Sequence, residues 1–233
     1  MRANEHAPHE SPHDMTSPGL EQQDLFGSES EQALTTALPE GWLYRDDFIT
    51  PAEEAELLET IGALTLHEAR YKAWTAKRRV AHFGTAYDFE TNQLLPSAEV
   101  PEWLWPLRAK AAAWTALPAA DFASALIAEY RLGTPLGWHR DVPDFEVVVG
   151  VSLGSTCRMR MRRYPPVAPK KADVLSVDLR PRSAYVLRGP ARWEWQHSIA
   201  PTPALRWSIT FRTRRTATAH RRPGARPTAG SPP

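Results

Sequence analysis

The sequence predicts an α+β fold in which N-terminal helices pack on antiparallel strands that form a sandwich or jelly roll. Two helical patterns come first, and six short β-rich segments separated by Gly or Pro follow. Helical segments do not alternate with these strands, so a parallel βαβ sheet is not expected. The 233 residues are enough for a domain with a substantial core.

The helices are predicted from their end signals. Residues 50–53, Thr-Pro-Ala-Glu, combine an N-cap threonine, a proline at the first helical position and a capping-box glutamate. Gly62 is expected to end this helix. A second helical pattern covers about residues 101–116, with Pro106 near its first turn, where proline is tolerated.

The strands are predicted from short segments rich in β-branched and aromatic residues. These segments are residues 122–130, 145–153, 156–163, 174–179, 183–187 and 205–212. In the third segment, Cys157, Met159 and Met161 alternate with arginines. Because successive side chains of a strand point to opposite faces, this strand is expected to bury one face and expose a basic one.

Composition and charge exclude several classes of protein. The 28 Lys and Arg nearly balance the 27 Asp and Glu, which argues against a polycation of the histone kind. No apolar run approaches the roughly 18–20 residues of a membrane-spanning helix, and no secretory signal is visible. Cys157 is the one cysteine, so a disulfide framework within the chain is excluded. We expect a soluble, cytoplasmic protein that acts as a monomer.

Composition also divides the chain into three parts. Residues 1–38 are acidic and lack periodic apolar positions, so a disordered leader is expected. Residues 39–212 are expected to form the folded domain. Residues 213–233 contain five Arg and no acidic residue, and are expected to form a disordered basic tail. Such a tail is either simply solvated or holds a polyanion loosely.

A candidate metal site lies within the strand-rich half. His139 and Asp141 form a His-x-Asp pair, which is a weak signal alone, and His197 follows 58 residues after His139. Two imidazoles and a carboxylate on one face of an octahedral ion leave three positions open, which suits non-haem Fe(II). A closed structural zinc site would take a fourth ligand. Taken singly, each histidine is better explained as an ordinary core residue with a satisfied hydrogen bond.

The last predicted strand carries a second signal. Arg206, Ser208, Thr210 and Arg212 all fall on one side of it. Two guanidiniums on the interior face of a β-structure are costly unless a dianion meets them. Surface ion pairs are the simpler explanation for either arginine alone.

Five segments of the domain resemble a known family. They read EYRLG at 129–133, HRD at 139–141, VGVSLG at 149–154, WQHSI at 195–199 and RWSITFR at 206–212. Over most of residues 39–212 the sequence resembles the AlkB-like Fe(II)/2-oxoglutarate-dependent dioxygenases, and the last segment matches their Arg-x-(Asn/Ser)-x-Thr-x-Arg signature. The expected core is then a double-stranded β-helix, the jelly roll predicted above.

The resemblance implies an iron enzyme with two cosubstrates. Carried over position by position, His139, Asp141 and His197 look like the iron ligands and the catalytic centre. The enzyme would use Fe(II), 2-oxoglutarate and O₂. The family reaction couples decarboxylation of 2-oxoglutarate to succinate and CO₂ with hydroxylation of an N-methyl group, which then leaves as formaldehyde.

The same carry-over assigns the cosubstrate pocket. Arg206, helped by Tyr130, looks like the anchor for the distal carboxylate of 2-oxoglutarate, and Arg212 looks like the partner of the carboxylate next to the keto group. Ser208 is expected to face the cosubstrate where other members have Asn. Ala128 stands where members commonly have an Asn that touches the cosubstrate.

Residues 71–89 are the candidate substrate lid, because aromatic side chains alternate there with cations. Such a surface can stack a flipped base and bind the flanking phosphates. A pair of hairpin strands with inward aromatics is the alternative. Trp138, beside the ligands, is either a stacking platform or a core residue. The predicted substrate-binding residues are Trp74, Arg78, Arg79, Tyr87 and Trp138.

Three functions remain open from the sequence. The leading hypothesis is a dioxygenase that oxidatively dealkylates N-alkylated bases in DNA or RNA, with nucleic acid as its partner. The second is the same oxygenase chemistry on a protein side chain or a small molecule. The third is a catalytically silent jelly-roll binding module.

Overall fold

The computed structural model describes residues 38–71, 74–168, 170 and 173–215, and the side chains of residues 70–76 lie outside that description. The predicted leader, except Leu38, and the predicted tail beyond Arg215 therefore lie outside the described residues. No helix in the described ranges is long and apolar enough to cross a membrane.

The described chain begins with a strand and an α-helix and ends in a series of strands. The α-helices are α1 (Pro51–Gly62), α2 (Trp105–Thr115) and α3 (Gly189–Trp193). The strands are β1 (Trp42–Arg45), β2 (His67–Tyr71), β3 (Trp74–Phe83), β4 (Thr85–Asp88), β5 (Gln93–Pro96), β6 (Ser124–Tyr130), β7 (Leu136–His139), β8 (Phe145–Leu153), β9 (Cys157–Arg163), β10 (Leu175–Leu179), β11 (Ala184–Leu187), β12 (Trp195–Ile199) and β13 (Arg206–Arg214).

Two antiparallel sheets form the core, as the sequence predicts. The major sheet has the order β1-β11-β8-β13-β6-β3-β2, and the minor sheet has the order β10-β9-β12-β7. Strands β4 and β5 pair separately. Val148 and Leu187 of the major sheet pack in one cluster with Met159, Met161 and Ile199 of the minor sheet. The two inner faces therefore enclose an apolar core, and the α+β jelly roll is confirmed.

The helices cover the other face of the major sheet. Leu57 and Ile61 of α1 and Leu107 of α2 belong to the same buried cluster as Ile209 and Phe211 of β13. The predicted end signal is present, since the Glu53 amide donates to Thr50 Oγ1 and the Thr50 amide donates to Glu53 Oε2. A short 3₁₀ turn precedes α2, and Pro106 lies in the first turn of α2 as expected.

The predicted alternation along β9 is confirmed. Cys157, Met159 and Met161 are buried, while Arg158 and Arg163 are exposed. Strand β13 continues to Arg214, two residues beyond the predicted end of the domain. The candidate lid segment contains the whole of β3, a long strand of the major sheet that pairs with β6 from Arg79 to Phe83.

The capping box of α1 yields a stability prediction. Thr50→Ala removes the side-chain acceptor for the Glu53 amide, so the free energy of unfolding should fall by about 1 kcal/mol. Urea denaturation monitored by circular dichroism measures this. Thr60→Ala, within the same helix, is the matched control because alanine is a good helix former. Equal stability of the two variants would contradict the role of the cap.

Candidate active site

The pairing of β7 with β12 brings the predicted metal ligands together. His139 is the last residue of β7 and lies opposite His197 of β12, with ring centroids 4.2 Å apart. Asp141 follows β7, and its Oδ2 lies 3.8 Å from His197 Nε2. One potential ligand atom from each of the three residues lies within 4.8 Å of the others.

Both imidazoles are held in a form that can bind a metal. Nδ1 of His139 lies 2.9 Å from the Gly137 carbonyl oxygen, which can only accept, so Nδ1 carries the proton and Nε2 keeps its lone pair. Burial is the main cause that lowers the pKa of His139, and burial followed by the charge of His139 lowers the pKa of His197 to about 3. Both rings are therefore neutral at neutral pH, as metal ligands must be.

The Asp141 carboxylate is held ionised by neighbouring cations. Burial alone would raise its pKa, but the guanidinium of Arg212, His197 and the guanidinium of Arg192 bring the pKa well below its usual range. Arg212 Nε donates to Asp141 Oδ1 over 2.8 Å, which leaves Oδ2 on the side of His197. In this structure Arg212 thus contacts the candidate metal ligand itself; its role toward the cosubstrate stays a prediction.

Arg192, which no sequence pattern singles out, holds the backbone that carries Asp141. Its side chain is 2% exposed, and its Nη2 donates to the carbonyl oxygens of Asp141, Val142 and Phe145 over 3.1, 2.7 and 2.9 Å. Three carbonyls that converge on one cation fix the turn between β7 and β8. No sequence pattern indicates a main-chain partner of this kind.

Strand β13 lines the pocket beside these ligands with the predicted alternate residues. Arg206, Ser208, Thr210 and Arg212 all face it. Across the sheet, Arg206 pairs in register with Tyr130 and Ser208 with Ala128, and both partners also line the pocket. The alternate residues of β13 therefore form one continuous wall of the pocket with their partners on β6.

Arg206 is a buried cation with an unused donor. Its Nε donates to Ser152 Oγ over 3.0 Å, and its guanidinium carbon lies 4.9 Å from the centre of the Tyr130 ring. Nη1 is buried and has no hydrogen-bond partner. No carboxylate of the described residues forms an ion pair with Arg206. A buried guanidinium without a counter-charge is costly, so a ligand carboxylate fits this position.

Gly150 and Tyr185 complete the wall. The two residues are opposite in register, and a Cβ at position 150 would clash with the Tyr185 ring. The ring stacks on Trp42 at 5.4 Å and lines the pocket. Gly150, within the VGVSLG segment, is the one sequence feature that could have indicated a large side chain opposite it, because only glycine leaves room for the Tyr185 ring.

The two arginines predicted to bind substrate have different surroundings in the structure. Arg78 lines the pocket, and its Nε is buried without a hydrogen-bond partner. Arg79 instead forms a bidentate ion pair with Glu129, with both N–O distances 2.8 Å. Because neighbouring side chains of β3 point to opposite faces, these two arginines do not act as one cationic pair.

Two of the three predicted aromatics, Tyr87 and Trp138, do not line the pocket. Tyr87 packs edge-on against Phe89, with ring centroids 5.0 Å apart. Trp138 lies under the guanidiniums of Arg160 and Arg162, away from the pocket. The side chain of Trp74 lies outside the described residues. Substrate contacts of these aromatics stay predictions.

Comparisons with known proteins indicate the family to which the chain is related. Residues 43–215 match the 2OG-Fe(II) oxygenase superfamily. The chain is 30% identical over 178 residues to the Alkylated DNA repair protein ALKBH8 homolog of Arabidopsis thaliana, covering 66% of this chain and 49% of that protein. It is 25% identical over 203 residues to the tRNA (carboxymethyluridine(34)-5-O)-methyltransferase alkbh8 of Xenopus tropicalis, covering 78% and 31%. The chain thus spans half or less of these two relatives.

A third relative and two solved structures extend the comparison. An uncharacterized protein of Acanthamoeba polyphaga mimivirus is 27% identical over 183 residues, covering 71% of this chain and 81% of that protein. The structure of OsALKBH1 has a TM-score of 0.58, and a Pseudomonas putida prolyl-4-hydroxylase has a TM-score of 0.52. Both are 16% identical and cover 76% of this chain, with 99% and 94% of their own chains matched, and they show the fold alone.

The chain belongs to the 2OG-Fe(II) oxygenase superfamily. Within that superfamily its sequence is similar to the ALKBH8 homolog of Arabidopsis thaliana. It is therefore a dioxygenase whose cofactors are Fe(II), 2-oxoglutarate and O₂. Two nitrogen donors, one oxygen donor and an unpaired buried guanidinium fit that set of groups.

Arg192 yields a prediction about metal affinity. Arg192→Met should weaken Mn(II) binding roughly tenfold or more, because the Asp141 turn loses its shared donor. Three buried carbonyl oxygens would also lose their hydrogen-bond donor, which should lower the free energy of unfolding by about 2 kcal/mol. Mn(II) titration and urea denaturation measure the two effects. Arg188→Met, an exposed neighbour, is the control, and metal affinity equal in both variants would exclude a positioning role.

Arg206 yields a prediction about the cosubstrate. Arg206→Lys keeps the charge but loses the planar bidentate contact, so the KM for 2-oxoglutarate should rise about tenfold or more. Succinate formation measured without a second substrate gives this KM. Arg214→Lys, exposed on the same strand, is the matched control. An unchanged KM in Arg206→Lys would mean that this side chain does not bind the cosubstrate.

Proposed function

We propose that this enzyme oxidatively removes alkyl groups from bases of a nucleic acid. The observation that carries the proposal is Arg78, a cation of the pocket wall that neither the triad nor the distal carboxylate of 2-oxoglutarate uses. Its buried Nε lacks a hydrogen-bond partner. A base supplies carbonyl and ring-nitrogen acceptors beside a phosphate chain, which suits a guanidinium. The names of the Arabidopsis and Xenopus relatives also concern DNA and tRNA.

In this proposal His139, Asp141 and His197 hold Fe(II), and Arg206 binds the distal carboxylate of 2-oxoglutarate. Bound Fe(II) supplies the oxidising chemistry, in which one atom of O₂ enters succinate and the other enters the substrate. Arg212 keeps the Asp141 carboxylate ionised and oriented through its 2.8 Å bond. Because the imidazoles of His139 and His197 are already neutral, neither has to release a proton when the metal binds.

The pocket walls restrict water near the reacting group. Apolar side chains of Leu136, Val148 and Ile199 line the pocket together with the Tyr185 ring. Exclusion of water protects a strong oxidant from side reactions. Hydroxylation of an N-methyl carbon would give a hemiaminal, which breaks its C–N bond, returns the proton to the base nitrogen and releases formaldehyde.

The same oxygenase chemistry on a protein side chain is the alternative. The prolyl-4-hydroxylase shares the fold, but at 16% identity this likeness carries no information about the substrate. Arg78, whose Nε is buried and unpaired, favours a nucleic acid, because a phosphate offers this cation a charged acceptor that a neutral side chain lacks.

A screen of N-methylated oligonucleotides tests the proposal. Purified protein with Fe(II), ascorbate and 2-oxoglutarate should remove methyl groups from single-stranded DNA or RNA, detected by mass, with one formaldehyde per methyl lost. Asp141→Ala should abolish the reaction, whereas Asp144→Ala should retain it. Circular dichroism checks that both variants fold. Turnover of methylated or proline-containing peptides with no oligonucleotide product would replace this proposal by the alternative.

A further inference from the structure

The outer face of the minor sheet carries an array of arginines around one tryptophan. Strands β9, β12 and β7 are adjacent, and Arg160 pairs in register with Ser198, as Arg162 does with Gln196. Met159 and Met161, the alternate residues of β9, lie in the core, so the arginines point outward. We call Trp138, Arg160, Arg162, Gln196 and Ser198 the outer arginine face.

Two guanidiniums of this face are fixed over the Trp138 ring. The guanidinium carbons of Arg162 and Arg160 lie 4.3 and 5.3 Å from the ring centre. Arg160 Nε donates to Ser198 Oγ over 3.0 Å, and Arg162 Nε donates to Gln196 Oε1 over 3.1 Å. A guanidinium has five N–H donors, so the remaining donors of both arginines are available in a pre-ordered arrangement.

The positive charge of Arg160 and Arg162 is not neutralised within the described residues. Neither arginine forms an ion pair there with a carboxylate, whereas Arg158 pairs with Asp178 and Arg163 pairs with Glu194. The two unpaired cations therefore lie between two ion pairs along the same strand. The uncompensated positive charge of β9 therefore belongs to Arg160 and Arg162.

We propose that the outer arginine face binds a single strand of nucleic acid beside the active site. Side chains two residues apart on a strand repeat at about 7 Å, a spacing comparable to that of successive phosphates along an extended strand. Each guanidinium can contact a phosphate in a bidentate manner, and its planar face can stack on a base. A surface that combines cations with ordered planar groups is typical of single-strand binding.

The place of this face in the fold connects it to the pocket. Strand β7 is the edge of the minor sheet, and Trp138 on its outer side precedes His139 on its inner side. A strand held on the outer face reaches the pocket by passing around this single edge strand. The inference rests on the proposed function, since it assigns the bound strand as the segment that flanks the reacting base.

Oligonucleotide affinity of the 233-residue chain tests the inference. A labelled, unmodified single-stranded oligonucleotide is titrated by fluorescence anisotropy at several salt concentrations. R160A/R162A should raise the Kd about tenfold or more and reduce the salt slope by about 1.4, the value for two phosphate contacts on a single strand. Succinate formation without a second substrate should stay unchanged, because neither arginine lines the pocket.

The matched control is R158A/R163A, which removes the same net charge from the same strand but takes it from two ion pairs. Its Kd should change less than about threefold. An equal loss in both double variants would overturn the inference, since net charge alone would then explain binding. Polyglutamate that competes for binding as effectively as unlabelled oligonucleotide would also overturn the inference.

A charge-preserving variant guards against loss of folding. R160K/R162K should fold like the parent and still lose about threefold or more in affinity, because lysine lacks the planar fork. Parent-like affinity in this variant would overturn the inference. Failure of the parent protein to bind any oligonucleotide would overturn the proposed function as well. A parent that binds and dealkylates, with R160A/R162A unchanged in affinity, would overturn this inference alone.

Discussion

Two guanidiniums from one strand lie in the space between the sheets, and the described protein supplies a carboxylate to one of them. Asp141 forms an ion pair with Arg212, whereas Arg206 has Ser152 and the Tyr130 ring as neighbours and keeps a buried, unpaired Nη1. A buried cation destabilises the fold unless another group neutralises it. Enzymes of this class bind a dicarboxylate cosubstrate. One carboxylate of that cosubstrate would neutralise Arg206, which the described protein residues leave without a counter-charge.

The site owes its rigidity to the strand that carries this charge. Strand β13 lies between β8 and β6 in the major sheet, and its alternate residues Ile209 and Phe211 pack into the core beneath the helices. The residues between them form the pocket wall. Arg192 fixes the opposite side through three carbonyls at the Asp141 turn. Core packing and ligand geometry are therefore set by the same backbone.

The alternation of residues predicts much of this arrangement, because a strand has two faces and a period of two. It yields the buried methionines of β9 and the pocket face of β13, whereas the candidate triad is predicted from the His-x-Asp pair, the later histidine and the family resemblance. Cross-strand partners could not be predicted, since they depend on the register between distant segments. The pairing of Arg79 with Glu129, the three carbonyls around Arg192 and the stacking of Trp138 under Arg162 are of this kind. The short strands β7 and β12 could not be predicted from an apolar pattern either, because His139 and His197 interrupt their apolar positions.

The central claim is that Arg206 recognises the distal carboxylate of a dicarboxylate, and calorimetry tests it directly. Mn(II)-loaded protein is titrated with 2-oxoglutarate and with 2-oxobutanoate, which keeps the keto acid and lacks the second carboxylate. A buried charge-assisted contact of about 1.5–3 kcal/mol predicts that 2-oxoglutarate binds at least tenfold more tightly. Equal affinity for the two ligands would contradict the account.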